Sequence, residues 1–494
     1  MTAAVGSPVP GARRRELYLD ALRTAAIVRV VVYHTFGGAW LSWAFPAMGV
    51  MFALAGGLMV NSLTRKPPAT VIRSRLRRLL PALWVFGAVM IPVMIWQGGP
   101  LDTWTDSNSG EPLPLWRLAF WLVPLGDPPG NEWGENATVV LWYLRTYLWL
   151  VLLSPLMLAA FRRLPIPTLV APLGLLFAQA FGVLPSADDG LIWAVVSDLG
   201  IFAPCWMLGF AHRTGALKRL PIPGLVTFVV LAGLAGIAWA LSHPSETDDG
   251  LSYDLNGIPI GQAFWSIAVI LPLLRFAPDA SWIGRTPVLG RFVALVNARA
   301  VTIYLWHNIL IDVAFLSSER LEGVGGIWES GITYNPLWMF TTIWVLIAVA
   351  VVVFGWVEDL AAQRRPRLWP VGPSARERRA EHEEELARAA AAPPDARAPD
   401  PAPPHHPYPG APAPHVPAPR PQYVPAGAHP GGGPYPADGP YQGGGPYPGG
   451  GPHQGGGSPP GGGPHSGGQY PDPGQFAPSS RGARYAGRHR GGPR

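Results

Sequence analysis

One cysteine, Cys205, in 494 residues leaves no internal disulfide framework and no cysteine-cluster metal site. Charge is also scarce: Asp, Glu, Lys and Arg make up 14% of the chain, against 49% for hydrophobic residues. The net charge of +6 is modest, and where the charges stand says more than their sum. Several signatures are missing. There is no GxxxxGK[ST] phosphate loop, no dinucleotide fingerprint and no HExxH zinc helix. No G-x-S-x-G nucleophile elbow occurs either. ATP-driven hydrolysis, hydride transfer and zinc proteolysis therefore have nothing to rest on. No fold motif supports nucleic-acid binding.

What remains is apolar length. Residues 16–357 are a succession of long apolar runs, the mark of spanning helices. Ten spans can be drawn, at 16–38, 43–62, 79–97, 138–161, 166–184, 191–211, 224–242, 262–277, 300–316 and 338–357. The connecting loops test that count. Loop 61–79 holds Arg65, Lys66, Arg73, Arg75, Arg77 and Arg78 without an acid, and 98–137 carries six acids against Arg117 alone. Arg162 and Arg163 follow, then Asp188 and Asp189, then Arg213, Lys218 and Arg219. Loop 243–261 has four acids and no Arg or Lys; Arg275, Arg285, Arg291 and Arg299 come next, and Arg364, Arg365 and Arg367 close the series. Basic clusters on every second loop place both termini in the cytoplasm under the positive-inside rule. The expected fold is an all-α polytopic membrane protein: about ten helices around a polar shaft, with a disordered C-terminal tail. Segment 113–125 is too short to span and reads as an interfacial or re-entrant piece on the outer side.

The domain boundaries follow from composition. Residues 1–15 form a cytoplasmic N-terminal segment; Arg13, Arg14 and Arg15 precede a long, charge-bearing helix that reads as an uncleaved first span. Residues 16–365 are the membrane domain, 366–392 a charged linker able to form a helix, and 393–494 a Pro/Gly-rich cytoplasmic tail. Within the tail, 401–494 hold 25 Gly and 25 Pro among 94 positions, too few apolar groups for a core.

Function is sought where charge enters the grease. LYLDALRTAAIVRVVVYHTFGG, residues 17–38, carries Asp20, Arg23, Arg29 and His34. A charge at mid-bilayer costs roughly 2.5–3.5 kcal/mol, so such residues face a cavity or a partner. Eleven residues apart, Arg23 and His34 fall within about 20° of one helix face and roughly 16 Å apart along the axis. Asp20 stands three residues before Arg23, close enough to pair with it. His34 suits a general base near neutral pH, and the Arg23 fork suits a phosphate or a carbonyl. Arg29 lies about 140° away from His34 and faces another helix or the shaft wall. His307, in TIYLWHN, is either a second functional group or a packed one. Arg75, Arg78 and Pro81 form RxxRxxP at the mouth of the third span, where the charges set topology or hold a cytosolic phosphate ligand. Arg145 and Tyr147, in LWYLRTY, fall near the outer end of the fourth span, where Arg145 either snorkels or touches substrate. Trp104, Trp116, Trp121 and Trp133 in the long outer loop read as interface anchors or as a platform for an acceptor.

These pieces, in order, resemble the membrane acyltransferase 3 family. LDALRTAAIVRVVVYH is similar to the family's LDGLRGLAALLVVLYH; GVMFALAGGLM to FFVLSGFLI; RLRRLLP to its RxxRxxP; LWYLRTYLW to a WFL element; IYLWHN to YLLH; VEDLAAQRRP to a closing VEKP. The resemblance covers about 16–365, and ten spans is also the family's number. Three departures stand out: Ala55 replaces a Ser, Arg29 replaces an aliphatic residue, and the SxExQ element of larger members is missing. The tail shows no fused esterase-like sequence, so the chain resembles a minimal member.

The resemblance implies transfer of an acyl group from acyl-CoA, typically acetyl-CoA, to a hydroxyl of a carbohydrate or related acceptor. Acyl-CoA is then a co-substrate, with no bound cofactor and no metal. The expected site is His34, Arg23 and Asp20 for catalysis, Arg75 and Arg78 for the CoA phosphates, and Arg145, Tyr147 and His307 for substrate. The expected partners are the lipid bilayer, acyl-CoA and the hydroxyl acceptor, without nucleic acid, in a multi-pass protein of the cell membrane. A transporter or flippase using the same shaft is the alternative, and acylation of a cytoplasmic natural product another. A scaffold working through the tail is the third.

Overall fold

The computed structural model describes residues 10–101, 104, 113–187, 190–247, 250–322 and 335–369. The tail, most of the 366–392 linker and the first nine residues lie outside the described residues. The first helix, α1 (Pro10–Phe36), begins inside the segment assigned to 1–15. Gly37 and Gly38, at φ +66° and +103°, end it, a conformation that only glycine adopts without strain. Beyond it come α2 (Trp40–Ala44), α3 (Ala47–Leu63) and α4 (Pro68–Gly98). After α5 (Glu135–Thr138) and α6 (Trp142–Arg163) come α7 (Pro165–Ala180), α8 (Leu191–Arg213), α9 (Ala216–Arg219) and α10 (Ile222–Ser242). The last six are α11 (Pro259–Phe276), α12 (Ser281–Arg285), α13 (Pro287–Ala298), α14 (Ala300–Glu322), α15 (Pro336–Phe354) and α16 (Trp356–Ala361).

Eight helical stretches among the described residues are long and apolar enough to cross a bilayer. The chain is an all-α polytopic membrane protein. The remaining two of the ten spans drawn from sequence fall on α1 and α7. α1 is long enough, but Asp20, Arg23 and Arg29 in its apolar part keep it from qualifying by composition. α7 has 16 residues, about 24 Å of helix against a hydrocarbon core of about 30 Å. The 113–125 segment is indeed no span: Leu115–Trp121 is a single 3-10 helix lying on α4, where the Trp84 indole donates to the Leu122 carbonyl at 2.8 Å. Two of the four tryptophans read as interface anchors are packed instead, Trp104 and Trp121, while Trp116 and Trp133 are exposed.

The bundle is built on α3 and α8. Between lipid-facing helices there is no hydrophobic drive to associate, so small residues that let backbones meet decide the packing. A Cβ on Gly56 would collide with the Trp206 carbonyl, and one on Gly209 with the Ala53 carbonyl. Twelve of the seventeen α3 residues are buried. Prolines interrupt α4, α6, α7, α8 and α11, tolerated because neighbouring helices shelter the freed backbone groups. Opposite the α1 start, a two-stranded hairpin (Ser245–Thr247 with Gly250–Ser252) and the turn after it close over the α1–α2 connection. There the Tyr33 hydroxyl donates to Asp254 at 2.6 Å, and the Leu255 N–H to Ser42 Oγ at 3.1 Å.

Candidate active site

Arg23 projects from the middle of α1 between two cavities. One, about 240 Å³, is walled by Asp20, Gly57, His212 and Arg213. The other, about 270 Å³, brings Arg23 together with Arg75, Arg78, Tyr143, Tyr147, Asn297, Tyr304 and Glu358. Seven helices converge there: α1, α3, α4, α6, α13, α14 and α16. Four residues singled out from the sequence, Arg23, Arg75, Arg78 and Tyr147, thus share one space.

The Arg23 guanidinium is held from both sides. It donates to Asp20 at 3.3 Å, the i,i+3 pair expected from spacing, and to Asn297 Oδ1 at 2.8 Å. The amide of Asn297 in turn donates to the Asp20 carbonyl and the Thr24 hydroxyl, so α13 fixes the Arg23 fork. Arg75 reaches back to Ser62 Oγ (3.1 Å) and the Leu58 carbonyl (3.4 Å) at the end of α3. Rather than standing in open solvent, it lashes α4 to α3 while lining the cavity.

Glu358 is the acid of this cavity. Its Oε1 accepts the Thr302 N–H at 2.7 Å and the Thr302 hydroxyl at 2.5 Å, capping the start of α14 from another helix. Burial pushes its carboxyl up to about 7, against the pull of those two bonds and of Arg299. Next to it Arg299, fully buried, donates to Asp359 and to the Arg367 carbonyl, both at 2.6 Å. Burial disfavours the Asp359 carboxylate, but the Arg299 guanidinium and the Arg367 N–H outweigh that and hold it below the usual carboxylate range.

His34 and His307 do not line the cavity. They meet each other farther along the bundle, ring centroids 5.2 Å apart. His307 is completely buried; its Nδ1 lies 2.6 Å from the Tyr304 carbonyl, while its Nε2 has no hydrogen-bond partner among the described residues. Tyr304 joins the two regions, with one face toward the cavity and its ring 5.6 Å from that of His307. Tyr143 packs on it at 4.8 Å, and both line the cavity. From the cavity that holds Arg23, the contacts toward His34 run through Tyr304 and His307.

Arg145 goes elsewhere. It is buried in an ion cluster with Asp127 and with Asp198 (2.6 Å), whose carboxylate also accepts the Thr146 hydroxyl at 2.6 Å. Burial raises the Asp127 carboxyl, and Arg145 opposes this. Of the two acids that engage it, Asp127 comes from the loop before α5 and Asp198 from α8. Arg29 ties the α1–α2 connection: its Nε donates to the Leu41 carbonyl at 3.1 Å and its guanidinium lies over the Tyr33 ring at 4.7 Å. Sequence reasoning missed Asn297, Glu358, Tyr143 and Tyr304. Glu358 stands inside the VEDL element and Tyr304 inside IYLWHN, so those two were within sight. Nothing in the sequence points to Asn297. Among the described residues no cluster could hold a metal ion.

Compared with known families, the chain matches the acyltransferase 3 family, described as an acyltransferase domain, over residues 16–357. No curated protein and no solved structure matches it. The matched stretch runs from within α1 to the first residues of α16 and takes in the histidine pair and every cavity residue named above except Glu358, which stands one position beyond it. The chain belongs to the acyltransferase 3 family, and is a membrane-embedded acyltransferase.

Proposed function

We propose that the chain transfers an acyl group, acetyl first among them, from acyl-CoA to a hydroxyl of a carbohydrate or related acceptor. The observation that supports this most is the cavity that gathers Arg23, Arg75 and Arg78 around a pocket with tyrosine walls. Three guanidiniums at one mouth match the phosphates of a CoA, which Arg binds in bidentate fashion. At about 270 Å³ the space suits the narrow pantetheine arm and leaves the nucleotide at the mouth. The basic loops support a mouth on the cytoplasmic side of the cell membrane, with both termini on that side.

The thioester then travels inward past Tyr143 and Tyr304 to His34. His34 takes the proton of the acceptor hydroxyl as its oxygen attacks the thioester carbonyl. The C–S bond of the tetrahedral intermediate breaks, the CoA thiolate leaves with the proton returned by His34, and the acceptor holds the new ester. Arg23, held by Asp20 and Asn297, anchors the donor, and Tyr147 lines its path. A covalent acyl-His34 intermediate fits the same residues. His34 lies near the outer end of α1, so an acceptor outside the cytoplasm can be reached.

The test is radiolabelled acetyl-CoA offered to the protein in proteoliposomes, with a panel of glycosides as acceptors. We expect label on a glycoside, reduced by about 10²–10⁴-fold in His34→Ala. Arg78→Ala should raise KM for acetyl-CoA while leaving kcat near the wild-type value. Transfer undiminished in His34→Ala would refute the assignment.

A further inference from the structure

His307 is wholly buried in α14, and its two nitrogens have opposite fates. Nδ1 sits 2.6 Å from the carbonyl of Tyr304, an acceptor only, so Nδ1 carries the hydrogen and donates it. Nε2 of the neutral ring therefore carries a lone pair, an acceptor with no donor among the described residues. Leaving such a group buried and unpaired costs stability, so its persistence asks for a use. The His34 ring lies against it at 5.2 Å, tilted by 59°, and the His34 side chain makes no hydrogen bond among the described residues. Two imidazoles thus meet in the bundle, one offering a fixed acceptor and the other a free choice of tautomer.

Resting on the function proposed above, we infer that His307 is the positioning residue of His34: its Nε2 accepts an N–H from His34 and so selects which His34 nitrogen serves as the base. The logic is that of a carboxylate orienting a catalytic imidazole, with a backbone carbonyl and a second imidazole in its place. Tyr304 O fixes the His307 tautomer, His307 Nε2 fixes the His34 tautomer, and the remaining His34 nitrogen presents its lone pair to the acceptor hydroxyl. During transfer that nitrogen gains the hydroxyl proton and later yields it to the thiolate, while the N–H toward His307 stays in place. Catalytic hydrogen bonds commonly tighten only when substrate closes the site, and at 5.2 Å between ring centroids the two imidazoles are already neighbours. His307 then contacts neither donor nor acceptor.

Three variants separate this from a packing role. His307→Phe fills the space without an acceptor; His307→Asn keeps a group near Nδ1 only; His307→Gln places an amide oxygen near Nε2. In acetyl-CoA turnover read by thiol release, we expect kcat to fall by roughly 10²–10³-fold in Phe and Asn, with KM for acetyl-CoA within about threefold, and Gln to stay within about tenfold of wild type. Folding of each variant is checked by thermal melting. Independently of turnover, ¹⁵N-histidine spectra of the protein in micelles, assigned by difference against His34→Ala, read the His34 tautomer directly. One tautomer is expected in wild type and Gln, and a mixture in Asn and Phe. An unchanged His34 tautomer in the folded Asn and Phe variants overturns the inference, as does a loss confined to KM or equal loss in Asn and Gln. If wild type turns over no acetyl-CoA, the proposed function fails, and the spectra still decide the pairing.

Discussion

Glu358 shows how one side chain can set the charge of a whole cavity. It faces the space shared by Arg23, Arg75 and Arg78, with Thr302 bonded to it and Arg299 nearby. Its carboxyl is raised from an ordinary 4.5 to about 7. Between those values the folded protein holds a proton that the unfolded chain has released, so this group's contribution to stability falls as pH rises through that window and levels off above it. The same titration makes the cavity more cationic on the acidic side. We expect KM for acetyl-CoA to rise by about fivefold from about pH 6 to pH 8, the effect of roughly 1 kcal/mol from one partly screened charge. Glu358→Gln should have a flat KM over that range and stay near the low-pH value. A wild-type KM that does not change with pH while the variant folds normally would remove Glu358 from donor binding. The neighbouring Asp359 is expected to behave oppositely. Arg299 and Arg367 stabilise its charged form, so the stability it contributes is present above the ordinary carboxylate range and is lost as pH falls below it.

At the scale of elements, the α3–α8 contact carries the bundle, and it rests on glycines. A methyl group at Gly209 would press on the Ala53 carbonyl and the Gly57 N–H, backbone atoms that cannot rotate away. Gly209→Ala should therefore cost about 1–3 kcal/mol, as overpacking of a tight core does. Gly174, in α7, has nothing within 4 Å of where its Cβ would stand. There alanine gains up to about 1 kcal/mol from helix propensity. Thermal melting in detergent, scored as the difference between these two variants, checks both signs at once. That contact was invisible in the sequence, where GVMFALAGGLM read only as an apolar run with a family likeness. The RxxRxxP motif was legible because Arg75, Arg78 and Pro81 are neighbours on one helix. Asp20 with Arg23 was legible for the same reason. Asn297 was not, since it reaches Arg23 from across 274 positions of chain. His34 and His307 were each visible as membrane histidines, but the pairing depends on how α1 and α14 pack, which no local spacing encodes.

For the whole molecule, the sequence carried the architecture better than the wiring, because span length and loop charge are local quantities while packing is not. Its weakest spans were α1 and α7, where charge and shortness blur the hydropathy signal. The tail belongs to a different calculation. Among the described residues the cavity lining reaches no further than Glu358, and the last anchoring contact is Arg299 with Arg367. Residues 401–494 hold 25 Gly and 25 Pro, a composition too poor in apolar groups to build a core, so a chain ending at residue 392 should keep the transfer activity of the full protein, within about twofold by the same thiol-release assay. Orientation is the remaining global quantity, and the lone cysteine makes it measurable. Cys205 is fully buried in α8, so it will not react with a membrane-impermeant maleimide in the folded protein. Lys66, in the basic loop before α4, is exposed, and so is Leu251, at the tip region of the hairpin. With positive charge retained inside, Leu251→Cys should label on intact cells and Lys66→Cys only after permeabilisation. The reverse pattern would put the arginine-rich mouth outside, where no acyl-CoA is supplied, and the direction of transfer argued above would have to be turned round.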